Sequence, residues 1–169
     1  KIADFLTSIL NIERDEQQIS CLQGPPGTGK TGGALSYAII ARAYARIAEG
    51  DYIRGIITAP SNKAVFEIME DVAEVKEEFL GSEDDTLDDL QLIRASGRSS
   101  SEFEDVGGVE YLNYGQDDEG VSDLADDLSR DRGLEAFMQG DPDPPESVLI
   151  FVTPSGSYGL MNNIAREWG

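Results

Sequence analysis

The chain has no histidine and a single cysteine, Cys21. The first absence removes zinc sites built on imidazole and every general acid–base scheme that depends on histidine. The second forbids an internal disulfide and suits a reducing cytoplasm. Cys21, in a short apolar run, reads as a small buried hydrophobe. Lysine occurs only at Lys1, Lys30, Lys63 and Lys76, and 13 basic residues face 33 acidic ones, a net charge of −20. A basic stripe, the ordinary footprint of a nucleic-acid-binding fragment, is therefore missing. No window reaches about eighteen uncharged apolar residues, and the longest apolar segment is interrupted by Arg42 and Arg46, so nothing is expected to span a membrane. The start, Lys1-Ile2-Ala3-Asp4-Phe5-Leu6, has no basic head followed by a long apolar run, so this stretch is not expected to be a signal peptide. It also has no initiator Met, and a piece of a longer, cytoplasmic protein is expected.

Two explanations fit so acidic a chain. In molar salt the screening length collapses to about 3 Å, and a dense acidic surface keeps a protein hydrated. Alternatively, an acidic patch mimics a polyanion or holds a cationic partner. The acids are dispersed and lysines scarce, which favours a salt-adapted source.

What is present is concentrated in one stretch. Gln23-Gly24-Pro25-Pro26-Gly27-Thr28-Gly29-Lys30-Thr31 fits the phosphate-loop pattern G-x-x-x-x-G-K-[ST]. Glycines allow successive N–H groups to curl around an anion. Lys30 reaches the β- and γ-phosphates, and the Thr31 hydroxyl is a ligand for the accompanying magnesium. Gly24, Pro25, Pro26, Gly27, Thr28, Gly29, Lys30 and Thr31 are thus the candidate ATP site, with Lys30 and Thr31 as its catalytic members and Thr31 its metal ligand. The context agrees: Gln18–Leu22 reads as a buried strand, and Ala34–Ala48 as a helix with Gly50 as its terminator.

Along the chain, Ile2, Phe5, Leu6, Ile9 and Leu10 make the apolar stripe of a helix over residues 1–13. Arg54–Pro60, Leu90–Ala95 and Val148–Val152 read as further strands. A helix over about Lys63–Phe79, with Ser61-Asn62 as cap residues, turns Val65, Ile68, Met69, Val72, Val75 and Phe79 to one face. Residues 98–146 are dense in acids and punctuated by glycine, and read as a solvent-facing insertion with short amphipathic helices around Leu124, Leu128, Leu134, Phe137 and Met138. Tyr158–Trp168 is weakly helical. This alternation predicts an α/β fold, a parallel sheet with helices on both faces. Ligands of such sheets sit at the carboxyl ends of the strands. There the phosphate loop would be joined by Ala59-Pro60-Ser61-Asn62 and Thr153-Pro154-Ser155-Gly156-Ser157, small polar side chains and backbone N–H groups suited to phosphates.

Taken together, Gly24–Thr31, Thr58-Ala59-Pro60-Ser61-Asn62-Lys63-Ala64-Val65, Leu92-Ile93-Arg94 and Thr153-Pro154-Ser155 resemble motif I, motif Ia, an intervening strand and motif Ic of superfamily 1 DNA/RNA helicases. The branch that includes the nonsense-mediated-decay helicase is the most similar. The resemblance covers residues 15–97 and 147–160. It implies an incomplete RecA-like phosphate-loop domain over 1–97 and 147–169, with 98–146 as an accessory subdomain. It also implies ATP and Mg2+ as cofactors. Single-stranded DNA or RNA would be held by Pro60, Ser61, Asn62, Thr153, Pro154 and Ser155, and a second RecA-like domain would complete the motor.

The chain departs from the family in having Phe66-Glu67 where Asp commonly follows Ala-Val. It also has no apolar strand closing in Asp-Glu. Asp71, Asp88-Asp89, Glu104-Asp105 and Asp126-Asp127 read as solvated surface. The acid pair of the family follows shortly after motif Ic, so poor hydrolysis by this stretch alone is expected. Two alternatives stand beside the helicase reading. One is an AAA+-like ATPase, against which the Pro-Ser-Asn end of the second strand argues; the other is a non-enzymatic acidic interaction module, against which an intact Lys30-Thr31 argues.

Overall fold

A computed structural model describes residues 30–80, 85–97, 105–128 and 147–167. The expected helix over 1–13, the strand Gln18–Leu22, and Gly24, Pro25, Pro26, Gly27, Thr28 and Gly29 of the phosphate loop lie outside the described residues. The first described element is a π-helical segment, Lys30–Leu35, which runs directly into helix α1, Ser36–Ala48. Helix thus begins four residues before the expected Ala34. Three N–H groups close its other end: Glu49 donates to the Arg46 carbonyl at 3.2 Å, Gly50, with φ at 76°, to that of Ile47 at 2.9 Å, and Asp51 to that of Arg46 at 3.0 Å. This is the Schellman pattern, which satisfies carbonyls that the helix end would otherwise leave bare.

Strand β1, Arg54–Thr58, follows, then helix α2, Asn62–Leu80, strand β2, Leu90–Ser96, and strand β3, Glu110–Asn113. Helix α3, Asp118–Leu128, strand β4, Ser147–Val152, and helix α4, Pro154–Glu167, complete the described chain. The strands form one sheet in the order β1-β4-β2-β3, with every neighbouring pair parallel. The expected fold class is what the molecule has: an α/β parallel sheet with helices on both faces.

The period-two alternation of the strands decides which helix covers which face. Leu90 and Leu92 of β2, with Leu149 and Phe151 of β4, join Ile40 and Ala43 of α1 and Val65, Met69 and Val72 of α2 in one core. Ile93 and Ala95, with Val148, Ile150 and Val152, point the other way and meet Leu124 of α3 and Leu160 and Ile164 of α4. All six residues of β4 are buried, as its central place in the sheet requires. Each large apolar side chain so enclosed contributes about 1.5–3 kcal/mol.

Within residues 98–146 the structure adds a strand that the sequence pattern does not announce. β3 pairs in parallel with β2, Ile93 opposite Glu110 through Ser96 opposite Asn113. Only Leu112 of its four residues is buried, so no apolar run marks it. α3 then packs its Val121, Leu124 and Ala125 into the second core. Leu124 and Leu128 are helical as expected; Leu134, Phe137 and Met138 lie outside the described residues. The tail is more regular than its sequence suggests, since α4 starts at Pro154, where a missing N–H costs a helix nothing. Among the described residues, no helix is long and apolar enough to cross a membrane.

Candidate functional site

The carboxyl ends of the strands form the rim on which the expected site residues fall. Thr58 and Val152 are opposite one another in the β1–β4 pair, so the loops after them leave the sheet side by side. Each loop opens a helix, and each helix is capped by a hydroxyl. Ser61 Oγ accepts the Ala64 N–H at 3.2 Å, and the Ser61 carbonyl accepts the Val65 N–H at 3.0 Å. Thr153 Oγ1 accepts the Gly156 N–H at 3.2 Å, and the Thr153 carbonyl the Ser157 N–H at 2.8 Å. Both are N-caps in the ordinary sense, fixing the start of α2 and α4 and orienting the first-turn N–H groups outward.

Pro60, Ser61, Asn62, Pro154 and Ser155 are exposed, and Thr153 is half-buried. The Ser155 hydroxyl lies 3.4 Å from that of Thr153, and the Ser157 hydroxyl donates to the Pro154 carbonyl at 2.8 Å. The two helix starts together offer hydroxyls, one carboxamide and the positive ends of two helix dipoles. That set suits the phosphates of a ligand or of a polynucleotide backbone.

Lys30 and Thr31 open the segment Lys30–Leu35, which packs against α2. α1 hands over to the start of β1 through Glu49–Ile53, so its other end, with Lys30 and Thr31, is directed toward the strands' carboxyl ends. The first turn of a helix carries N–H groups with no intrahelical partner. A β-carbon at Gly33 would meet nothing within 4 Å, leaving space beside that turn. By residue type, Lys30 and Thr31 at a helix start are what a magnesium-bound triphosphate would call for. Lys30 would hold its phosphate oxygens and Thr31 its cation.

The acids behave largely as expected. Asp88, Asp89, Asp105 and Asp126 are exposed, and among the described residues no three acidic or cysteine side chains converge on a point. Asp71 differs. It is half-buried on α2, and burial, then the charges of Glu74 and Glu67, hold its carboxyl above the usual aspartate range. None of β1 to β4 closes in an acidic pair.

Two residues important to the rim are not evident as such in the sequence. Arg94, in the middle of β2, is only 2 % exposed. Its guanidinium donates to the Phe151 carbonyl at 2.9 Å, to the Ala95 carbonyl and to Asn62 Oδ1 at 3.0 Å. Burial pulls its pKa down, while the nearby Tyr111 and Tyr114 phenols pull the other way; an arginine remains charged throughout. A lone charge inside the apolar run Leu90–Ala95 was the available signal. The second residue is Tyr114, whose ring tip rests against Gly97, Gly156 and Gly159. Its carbonyl accepts from Asn163 at 2.9 Å and its N–H donates to Ser96 at 3.0 Å, fastening β3 to α4 and β2.

A separate cavity of about 200 Å³, lined by Arg42, Arg46, Asp51, Tyr52, Ile53 and Arg54, lies at the amino end of β1. It is far from the rim in the fold and plays no part in it. Arg46 and Asp51 pair across it at 3.3 Å.

A parallel sheet covered on both faces, with Lys30 and Thr31 opening a helical segment, agrees with the comparison by family, which indicates a phosphate-loop NTPase of the helicase-like, superfamily 1 type. The family model described as AAA domain matches residues 6–107, more than half of the 169 residues, and the chain belongs to that family. Phosphate-loop NTPases of this kind bind nucleotide and generally use ATP with Mg2+. No curated protein and no solved structure matches the chain significantly.

Proposed function

We propose that this chain is the ATP-binding part of the first motor domain of a superfamily 1 helicase or translocase, from the branch that includes the nonsense-mediated-decay helicase. Lys30 and Thr31 hold the triphosphate and its magnesium. Pro60, Ser61, Asn62, Thr153, Pro154 and Ser155 hold the sugar–phosphate backbone of single-stranded DNA or RNA, without reading bases. One observation carries this reading: two exposed, hydroxyl-capped helix starts leave neighbouring parallel strands from paired positions, Thr58 and Val152. Phosphates spaced along a strand can engage both at once, which a nucleotide at the phosphate loop does not require.

The net charge of −20 sets the conditions under which such a rim works. A polyanion is repelled by the surrounding acids unless salt screens them, which agrees with a salt-adapted, cytoplasmic protein. With no acidic pair closing a described strand, the chain on its own binds nucleotide and hydrolyses it slowly. Within residues 98–146, β3 and α3 belong to the sheet and its second core rather than to a solvent-facing insertion, so an accessory subdomain is left to the remainder of that stretch, and a second RecA-like domain completes the hydrolytic site.

The test is a full-length protein carrying Asn62→Ala and Ser155→Ala together. Affinity for a labelled single-stranded oligonucleotide should fall about tenfold or more while ATP affinity holds, since each lost neutral contact is worth about 0.5–1.5 kcal/mol. Loss of ATP affinity with strand affinity intact would refute the assignment.

A further inference from the structure

We infer that Arg94 is a positioning residue for strand binding: it sets the Asn62 carboxamide so that its N–H groups face the rim, and it ties that helix start to the neighbouring loop. The inference rests on the reading of Asn62 as a backbone contact. A guanidinium has donors and no acceptor, so the Asn62 atom 3.0 Å from Arg94 must be the oxygen. The amide nitrogen of Asn62 is thereby turned the other way, and Asn62 itself is exposed. An exposed carboxamide ordinarily rotates and presents oxygen or nitrogen at will. Here one face is fixed, and the face left to solvent is the one that attracts phosphate oxygens.

The same guanidinium holds the Phe151 carbonyl at 2.9 Å, two residues before Thr153. Phe151 is the register partner of Arg94 in the β2–β4 pair. One buried cation thus spans from the start of α2 to the strand that delivers Thr153, and the spacing of the two loops follows from it. Hydrophobic packing would not explain a charge at this place. Burying an ion is costly unless hydrogen bonds compensate it, and an apolar residue of like volume would fill the site more cheaply. The Arg94 fork is rigid and planar, which a lysine cannot reproduce.

The experiment uses full-length protein and three measurements: anisotropy of a fluorescein-labelled oligothymidine or oligouridine strand, affinity for a labelled ATP analogue, and the thermal midpoint. Arg94→Met and Asn62→Ala are each expected to weaken strand binding about five- to tenfold, the value of one lost hydrogen-bonded contact. The double variant should be no more than about twofold weaker than Asn62→Ala alone, because both changes remove one device. ATP affinity should not move. Effects that multiply in the double variant, or Arg94→Met at full strand affinity, would overturn the inference.

Asn62→Asp covers the case in which Arg94→Met fails to fold. An aspartate keeps the contact with Arg94 and removes the outward N–H groups. It should retain the parent thermal midpoint and bind the strand no better than Asn62→Ala; full affinity would overturn the inference. If Asn62→Ala leaves strand affinity unchanged, the reading of Asn62 falls, and this inference with it. If Asn62→Ala and Ser155→Ala weaken binding while Arg94 shows no coupling, only the inference falls.

Discussion

The tip of the Tyr114 ring occupies the space that a side chain at Gly97 would need. A β-carbon there would stand 2.8 Å from Cε2 and 2.9 Å from Cζ and from the hydroxyl oxygen. Retreat is restricted because a β-carbon at Gly159 would already lie 3.0 Å from the same Cε2, and one at Gly156 3.3 Å from the hydroxyl. Gly97→Ala is therefore expected to destabilise the fold by about 1–3 kcal/mol through overpacking. The midpoint of urea unfolding measures it. In a Tyr114→Ala background the added methyl should cost much less, a coupling that two independent sites would not show.

Gly50 closes α1 with φ at 76°, a conformation in which a β-carbon crowds the following carbonyl. Nothing lies within 4 Å of that β-carbon otherwise, so backbone strain is the only penalty. Gly50→Ala should cost about 1–2 kcal/mol, and Gly50→Asn clearly less, because asparagine tolerates the left-handed region. Equal losses for the two variants would mean that the Schellman bonds to Arg46 and Ile47 are not what holds this turn.

How legible the molecule is depends on whether a signal is periodic. α2 and β4 could be read directly: Val65, Met69 and Val72 recur at helical spacing, and Val148–Val152 is apolar throughout because it is buried on both faces. β3 could not, since an edge strand with one buried residue, Leu112, leaves no pattern to find. Ser61 was recognisable as a cap from its place after Pro60. Arg94 and Tyr114 were not, because their roles depend on partners far along the chain. Asn62 and Phe151 lie 32 and 57 residues from Arg94. Tyr114 meets Gly156 and Gly159 only once the sheet has formed. Local chemistry announces the rim; long-range contacts set its geometry.

Asp71 gives a pH and salt prediction with a definite sign. Burial, followed by Glu74 and Glu67, raises its carboxyl pKa in the folded state. The folded protein therefore binds this proton before the unfolded chain does as pH falls, so the carboxylate costs stability at neutral pH. That cost disappears as pH drops through the raised pKa and is gone below the ordinary aspartate value. Asp71→Asn should raise the thermal midpoint at pH 7 and leave it unchanged at low pH. Adding molar KCl should shrink the neutral-pH gain by screening Glu67 and Glu74, without abolishing the part due to burial. A gain that persists at low pH would mean that the amide stabilises by some other contact.

Lys30 and Thr31 stand next to one another at the head of the first helix, yet their losses should be separable. In the proposed site Lys30 would supply charge directly to phosphate oxygens, whereas Thr31 would act on the phosphates only through the cation. Lys30→Ala should therefore lower ATP affinity about tenfold or more whether Mg2+ is present or chelated, consistent with the worth of a charge-assisted contact. Thr31→Ala should match the parent protein in chelator and lose most of the affinity that Mg2+ adds. Alanine is a strong helix former, so neither change should lower the thermal midpoint of the nucleotide-free protein. Isothermal titration with ATP, with and without Mg2+, distinguishes the four cases. A Thr31→Ala protein equally weakened in chelator would place its hydroxyl on phosphate instead of on the metal.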